Sequence, residues 1–287
     1  MILYFCTICV MLTACEKPLD LEDGDNTATD SNVTLQFSMT NDDAPTRAMS
    51  HAYFNKLNIQ LFDSDGERMF EKVKTQTADD DDFGTMSLKL NKGTYTVVAV
   101  GHSSHNSATI KSPEVCQFTA SEGEKLTDTF CHCSQITITG TFQHFNLQMY
   151  RAGAMIQFCL TDTQTPVNFA YFLMEYSGGS ANFNPTTLEG ITKSTQSEKR
   201  ASNGIQIYQC FTFPYLSATG SIAMTCTGLD VDGNVIRRRK FDAIPVTRNR
   251  ITTYTGHFFE DGDGEFTQSD FSFLIHADWD GEDHYTF

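Results

Sequence analysis

The chain has 287 residues, with 36 acidic against 20 basic side chains and a formal charge of −16. That length supplies two cores of ordinary domain size. The charge argues against nucleic acid, whose phosphates demand Lys and Arg, and it repels anionic membrane surfaces. Phe is abundant at 23 residues while Trp occurs once. Phe, Thr, Val and Ile set among Asp-Gly and Asn-Gly steps predict strands and turns rather than helices.

The first residues carry the most specific signal. Ile2 to Leu12 is an apolar run too short to span a bilayer as a helix, and it fits the apolar core of a secretory signal. It ends in Leu12-Thr13-Ala14-Cys15, which resembles a bacterial lipobox. Small residues there suit a peptidase groove, and the Cys15 thiol accepts the lipid. The run departs from the usual signal in having no Lys or Arg before it. Residues 1–14 thus read as a signal peptide and residues 15–31 as a lipidated flexible tether, acidic and without periodicity. Each buried acyl methylene contributes about 0.8 kcal/mol, so two or three chains hold almost permanently to the outer membrane.

Strands are expected from Val33 onward. Val33, Leu35, Phe37 and Met39 alternate with polar residues, the pattern of a half-buried strand. Residues 41–50 read as a polar loop. Leu57, Ile59 and Leu61 alternate again, Asp63-Ser64-Asp65-Gly66 predicts a hairpin turn, and residues 69–74 return. An acidic loop at 77–82 precedes Met86, Leu88 and Leu90, and a turn at Asn91-Lys92-Gly93 leads into Tyr95 to Val100. Weaker signals at 115–119 and 126–133 and a last one at 136–142 complete a first β-sandwich over residues 32–142. The second sandwich, residues 143–287, opens with a long apolar stretch at 147–160 interrupted by Arg151 and Gly153. Aromatic residues fill 168–176, and 192–203 reads as a polar loop or hairpin tip. Strands follow at 205–213, 222–229, 235–241 and 251–259, with a turn at Asp232-Gly233-Asn234. Phe271, Phe273 and Ile275, running on to Trp279, give the last strand.

Chemistry-bearing residues are few. Of nine cysteines, Cys6 and Cys9 fall in the signal and Cys15 carries lipid. The remaining six are Cys116, Cys131, Cys133, Cys159, Cys210 and Cys226. Export permits disulfides, yet the spacing shows no compact framework and buried thiols fit equally well. In Cys131-His132-Cys133 a strand would put both thiols on one face and His132 on the other, and no second Cys pair completes a zinc site. Asp261 to Glu265 offers oxygens but lacks the calcium-loop pattern. Arg151, in an apolar stretch, needs a partner: it sits at an edge or pairs with a carboxylate at the seam between the halves. No nucleophile elbow, metalloprotease motif or phosphate loop occurs. The expectation is a protein that is not an enzyme and uses no cofactor or metal.

The order of motifs resembles a known family. The lipobox and acidic tether are followed by Val33-Thr34-Leu35-Gln36-Phe37, then by residues 57–66 (Leu57-Asn58-Ile59 through Asp65-Gly66) and 90–101 (Leu90-Asn91-Lys92-Gly93 through Val100-Gly101). Leu147 to Ile156, with Tyr150-Arg151-Ala152-Gly153 at its centre, and Ile244-Pro245-Val246-Thr247-Arg248-Asn249-Arg250-Ile251-Thr252 follow. This resembles the Bacteroidales fimbrillin-associated anchor lipoproteins, across most of the mature chain. Acidic residues just after the lipid Cys likewise resemble a surface-export signal of Bacteroidetes lipoproteins. The resemblance implies two tandem transthyretin-like β-sandwich domains, a surface-exposed outer-membrane lipoprotein, and a fimbrial anchor or accessory subunit in cell adhesion. Its partners would be other fimbrial subunits, met by β-strand addition. A binder of glycans or host proteins on the same scaffold is the alternative. Related fimbrillins are cleaved after an Arg in the loop that follows the first strand, which makes Arg47 a protease site. Cutting there would separate the lipid and the first strand from the body, so an anchor should keep that strand. Its subunit contact then falls to Phe271 to Phe287, with Phe273, Ile275 and Trp279; the plainer expectation is an ordinary last strand.

Overall fold

Strand β1 (Val33–Met39) shows why the alternation matters. Val33, Leu35 and Phe37 are buried, and Thr34, Gln36 and Ser38 between them are half-exposed, because successive side chains leave a strand on opposite faces. The computed structural model describes residues 31–39, 53–105, 107–119, 126–202, 204, 206–260, 272–276 and 282–283. Every element in this set is a strand, so the all-β expectation holds.

The N-terminal half continues with β2 (Lys56–Phe62), β3 (Arg68–Thr77), β4 (Thr85–Leu88), β5 (Gly93–His102), β6 (Ala108–Ser112), β7 (Val115–Phe118), β8 (Phe130–Ile138) and β9 (Gln143–Arg151). Seven of these form one sheet in the order β3-β2-β5-β8-β9-β1-β4. β8 and β9 pair at Phe130–Arg151 and Cys131–Tyr150, and beyond that corner the sheet folds over itself. Leu57, Ile59, Val97 and Ile136 from one layer meet Val33, Leu35, Leu88 and Leu147 from the other in a single core. β9 pairs in parallel with all of β1, from Gln143 to Met149, and at Tyr150 and Arg151 with β8, so this sheet runs past residue 142 as far as Arg151.

The C-terminal half contains β10 (Ala154–Leu160), β11 (Tyr171–Ser177), β12 (Asn182–Asn184), β13 (Glu189–Gly190), β14 (Gln196–Ala201), β15 (Ile207–Thr212), β16 (Thr219–Leu229), β17 (Val235–Thr247), β18 (Ile251–Gly256), β19 (Ser272–His276) and β20 (Glu282–Asp283). Sheets β14-β11-β16-β17 and β15-β10-β18-β19-β20 enclose a second core rich in rings. Phe172 stacks on Tyr208 at 4.4 Å, and Phe158 packs against Phe241 at 5.2 Å. The connectivity repeats that of the first half. β10 pairs in parallel with β18 and antiparallel with β15, as β1 does with β9 and β4. The facing layers correspond strand for strand: β3-β2-β5-β8 and β14-β11-β16-β17.

A fourth sheet, β13-β12-β7-β6, takes two strands from each half. Its inner face joins Val98, Val100, Ile110 and Cys116 to Ala181, Phe183 and Phe213 in a third apolar cluster. Residues 31–287 consequently form one compact unit.

Two hairpins share one turn design. In Asp63 to Glu67 and again in Asp230 to Asn234, the leading Asp side chain accepts the N–H groups two and four residues on, at 2.8–3.0 Å. Gly66 and Gly233 take the left-handed φ these turns require, at 80° and 84°.

Residues 192–203 depart from the expected loop. β14 runs through them, pairing with β11 from Tyr171–Ala201 to Tyr176–Gln196. Its inward side chains are Gln196, Glu198 and Arg200, so the apolar alternation that marks a strand is missing.

Candidate subunit-contact site

Of the residues singled out in the sequence, Cys15, Arg47, Phe271 and Trp279 lie outside the described residues. Phe273 and Ile275 fall within β19. That strand runs antiparallel to β18, with Ile251 opposite His276 and Thr255 opposite Ser272, and β20 pairs with its far side at Ile275–Asp283 and His276–Glu282. In the isolated chain the segment therefore completes its own sheet, lying between β18 and the two-residue edge strand β20.

The other layer of this sandwich is closed at both edges. The inward residues of β14 face Phe172, Met174 and Tyr176 across the ladder. Glu198 is buried and pairs with Arg200 at 3.4 Å, and Arg200 Nε donates to the Gln209 carbonyl at 3.4 Å. Tyr176 beside them donates to the Phe211 carbonyl at 2.6 Å. Burial raises its phenol well above the ordinary value, and Cys210 and Glu198 add to the shift. Inward charge of this kind discourages a further strand. At the opposite edge β17 exposes Arg238 and Lys240 and contains Pro245, which lacks the N–H a new ladder would need. The β18 side carries neither device, and there the chain adds β19.

β1 sits very differently. It lies between β4 and β9 with pairing on both sides. Asn32 fixes its entry: the side-chain amide donates to the Leu90 carbonyl at 2.8 Å and accepts the Leu90 N–H at 2.9 Å. At the other end Phe37 N–H donates to the Gly84 carbonyl at 2.8 Å.

Arg151 has the partner its position demanded. Its Nε donates to Asp128 Oδ1 at 2.8 Å, Nη2 donates to Asp128 Oδ2 at 3.0 Å, and Nη1 donates to Asn249 Oδ1 at 3.0 Å. The guanidinium also lies 4.6 Å from the Phe130 ring centroid. Asp128 comes from the first half and Asn249 from the turn before β18, so one side chain ties the halves together. Burial raises the Asp128 carboxyl above its ordinary pKa, and the Arg151 guanidinium pulls it back down. Nothing in the sequence marked Asp128 or Asn249 as the partners, because each sits in a loop, 23 and 98 positions away.

Asp261 to Glu265 lie outside the described residues, and the other candidates resolve into structure. Cys131 and Cys133 face the third cluster, their thiols pushed up by burial. His132 faces the opposite way and bonds the Gln148 carbonyl and Ser134 Oγ, each at 2.7 Å. The three do not converge on one metal. His102 is buried against Asn58 Oδ1 at 2.8 Å, and its Nδ1 accepts the Ser104 N–H at 3.1 Å. Burial, reinforced by the Lys56 ammonium, lowers its pKa to about 3, so it is neutral. Asp162, His257 and Glu260 gather their ligand atoms within 4.8 Å of one another. Asp162, however, accepts the N–H groups of Phe258, Phe259 and Glu260 at 2.6–2.9 Å, and Glu260 accepts from Thr163 and Gln164. This cluster braces the chain after β18.

The model of a family of unknown function, DUF6562, matches residues 24–287. No curated protein sequence matches the chain. Solved structures share the fold. A provisionally assigned polysaccharide-binding protein (DUF1812) of Bacteroides thetaiotaomicron aligns at 9% identity over 86% of this chain and 96% of its own, with a TM-score of 0.51. A provisionally assigned adhesin of the same organism aligns at 11% identity over 86% and 96%, with a TM-score of 0.50. The fimbrial anchor protein Mfa2 of Porphyromonas gingivalis aligns at 14% identity over 89% and 99%, with a TM-score of 0.47. At these identities the likeness to the first two establishes the fold alone.

Proposed function

Because this chain belongs to the DUF6562 family, a family of unknown function, we propose from its own features that it is a surface-exposed outer-membrane lipoprotein serving as a fimbrial anchor or accessory subunit. It is held by lipid on Cys15. The work is mechanical: it resists pulling and hands a strand or an edge to the next subunit, without catalysis or cofactor. The single observation that carries this reading is the contrast between the chain's two ends. β1, which leads back to Cys15, is locked between two neighbours and fills the first core. β19 is the last strand but one of its sheet, bonded along its length to β18 and on its other side only to the two-residue β20. An anchor needs this arrangement, because force entering at the lipid passes into a buried strand while the free end reaches a partner. The same logic leaves Arg47 uncleaved. In trans, Phe271 to Trp279 would exchange pairing with β18 for pairing with a neighbouring subunit's open edge, where backbone bonds and alternate side chains both contribute.

Deleting the protein tests the role: long, shed fimbriae are expected, and fimbriae of ordinary length that stay attached contradict it. Truncation after Leu274 tests the contact. It should release fimbriae while the lipoprotein stays on the membrane.

A further inference from the structure

The sheet shared by the two halves has an outer face that no role above uses. Its inner face gives Ile110, Cys116 and Phe183 to the third cluster. In register, Thr109 lies opposite Gln117 and Gln117 opposite Asn182. Cross-strand partners share a face, so these three side chains stand in one row, two from the N-terminal half and one from the C-terminal half. Lys111 and Thr119 border the row, and Ser194 closes it from the connection before β14. Ser194 is held in place, since its N–H donates to the Gly179 carbonyl at 3.0 Å and its hydroxyl accepts from the Gln196 amide. The result is a cavity of about 460 Å³ with Phe118 and Ala181 in its wall. That falls within the roughly 300–1,000 Å³ of small-ligand sites.

The lining selects a chemistry. Two neighbouring amides each offer two donors and an acceptor, and three hydroxyls offer both. Such a set matches the adjacent hydroxyls of a sugar ring. The one charged group among the described lining residues is the Lys111 ammonium, and no carboxylate appears there, although the chain carries 36 acidic side chains. A cation would find no counter-charge, and an apolar ligand would strand the amides. We propose that this cavity binds a saccharide unit bearing a carboxylate, of the hexuronate class. Gln117 and Asn182 hold the ring hydroxyls and Lys111 meets the acid group. Binding here is a property of the purified chain and is separate from fimbrial attachment.

The test titrates the purified protein with galacturonate and glucuronate, using galactose and glucose as neutral counterparts and acetate as a bare carboxylate. NMR of the side-chain amide groups is the readout. Saturable shifts of the Gln117 and Asn182 amides are expected, with a uronate preferred to its neutral counterpart by about fivefold, as for an exposed ion pair. Lys111→Gln should erase that preference. Gln117→Glu, which sets a carboxylate against the ligand's own, should abolish uronate binding with the melting temperature unchanged. Gln148→Ala, on another sheet, should change nothing. Absence of saturable shifts with either uronate overturns the site. Equal affinity for acid and neutral sugars overturns the acid-group assignment, and acetate binding as tightly as a uronate overturns the saccharide class.

Discussion

The two sandwiches share one connectivity and differ in how the chain's ends meet them. In the first, β1 lies mid-layer between β4 and β9, with Val33, Leu35 and Phe37 inside the core. In the second, β10 holds the equivalent place between β15 and β18, and β19 and the two-residue β20 are added beyond β18. A strand inside a core cannot leave without opening it. Strands added at the end of a sheet can be exchanged with less disturbance to the body. On the proposed reading, one end of the molecule stays and the other is lent.

The sharpest way to break this contrast is to weaken both ends. Phe37→Ala should destabilise the protein by about 3–5 kcal/mol, the usual range for a fully buried ring. Removing residues 272–287 should cost well under that, measured by denaturant unfolding of the two variants side by side. A truncation as damaging as Phe37→Ala would mean that β19 is part of the second core rather than an addition to it.

The seam comes next. Arg151→Met leaves Asp128 without its bidentate partner in a partly buried site and should cost about 2–3 kcal/mol. Arg151→Met combined with Asp128→Asn should cost less than Arg151→Met alone. If the two single changes add, the pair does not couple the halves.

Acid sharpens the comparison because a buried histidine marks the first half. His102 titrates near 3 when folded and near 6.5 in an unfolded chain. The unfolded state thus takes up a proton that the folded state refuses. Stability contributed by His102 is whole above about pH 6.5 and falls as pH drops toward 3. At pH 5 the loss is about 2 kcal/mol. His102→Gln should remove about one proton from the stability–pH slope in that window, and an unchanged slope would assign the acid sensitivity elsewhere.

The smallest effect tests likeness rather than difference. Gly66 and Gly233 occupy the same turn position, and a methyl group at either would touch nothing within 4 Å. Gly66→Ala and Gly233→Ala should therefore each cost about 1–2 kcal/mol from φ alone, with matching shifts in thermal unfolding. Unequal shifts would show that the turns are under different strain.

Alternation made most of these strands readable. β1, β2 and β16 show an alternating apolar face, and β5, apolar on both faces, reads as a continuous apolar run after its Asn91-Lys92-Gly93 turn, so local chemistry and tertiary packing agree. β14 was hidden because its inward face is Gln196, Glu198 and Arg200, a pattern set by edge protection rather than by a core. β12 and β13 are three and two residues long, too short to show any period. The signals at 126–133 and 136–142 proved to be mainly one strand, β8, followed by the turn into β9. The need for an Arg151 partner was legible from its apolar neighbours. Asp128 and Asn249 were not, since nothing local records contacts across 23 and 98 positions. The shared sheet was equally silent, because it exists only once two distant hairpins meet.

The account turns on whether the mature protein keeps its first strand joined to its lipid. Intact-mass analysis of the native protein extracted from membranes, with peptide mapping of its start, decides this directly. The account predicts a chain beginning at an acylated Cys15 and continuous through Arg47. A mature chain beginning at Ala48, or one carrying an unmodified Cys15, would contradict it.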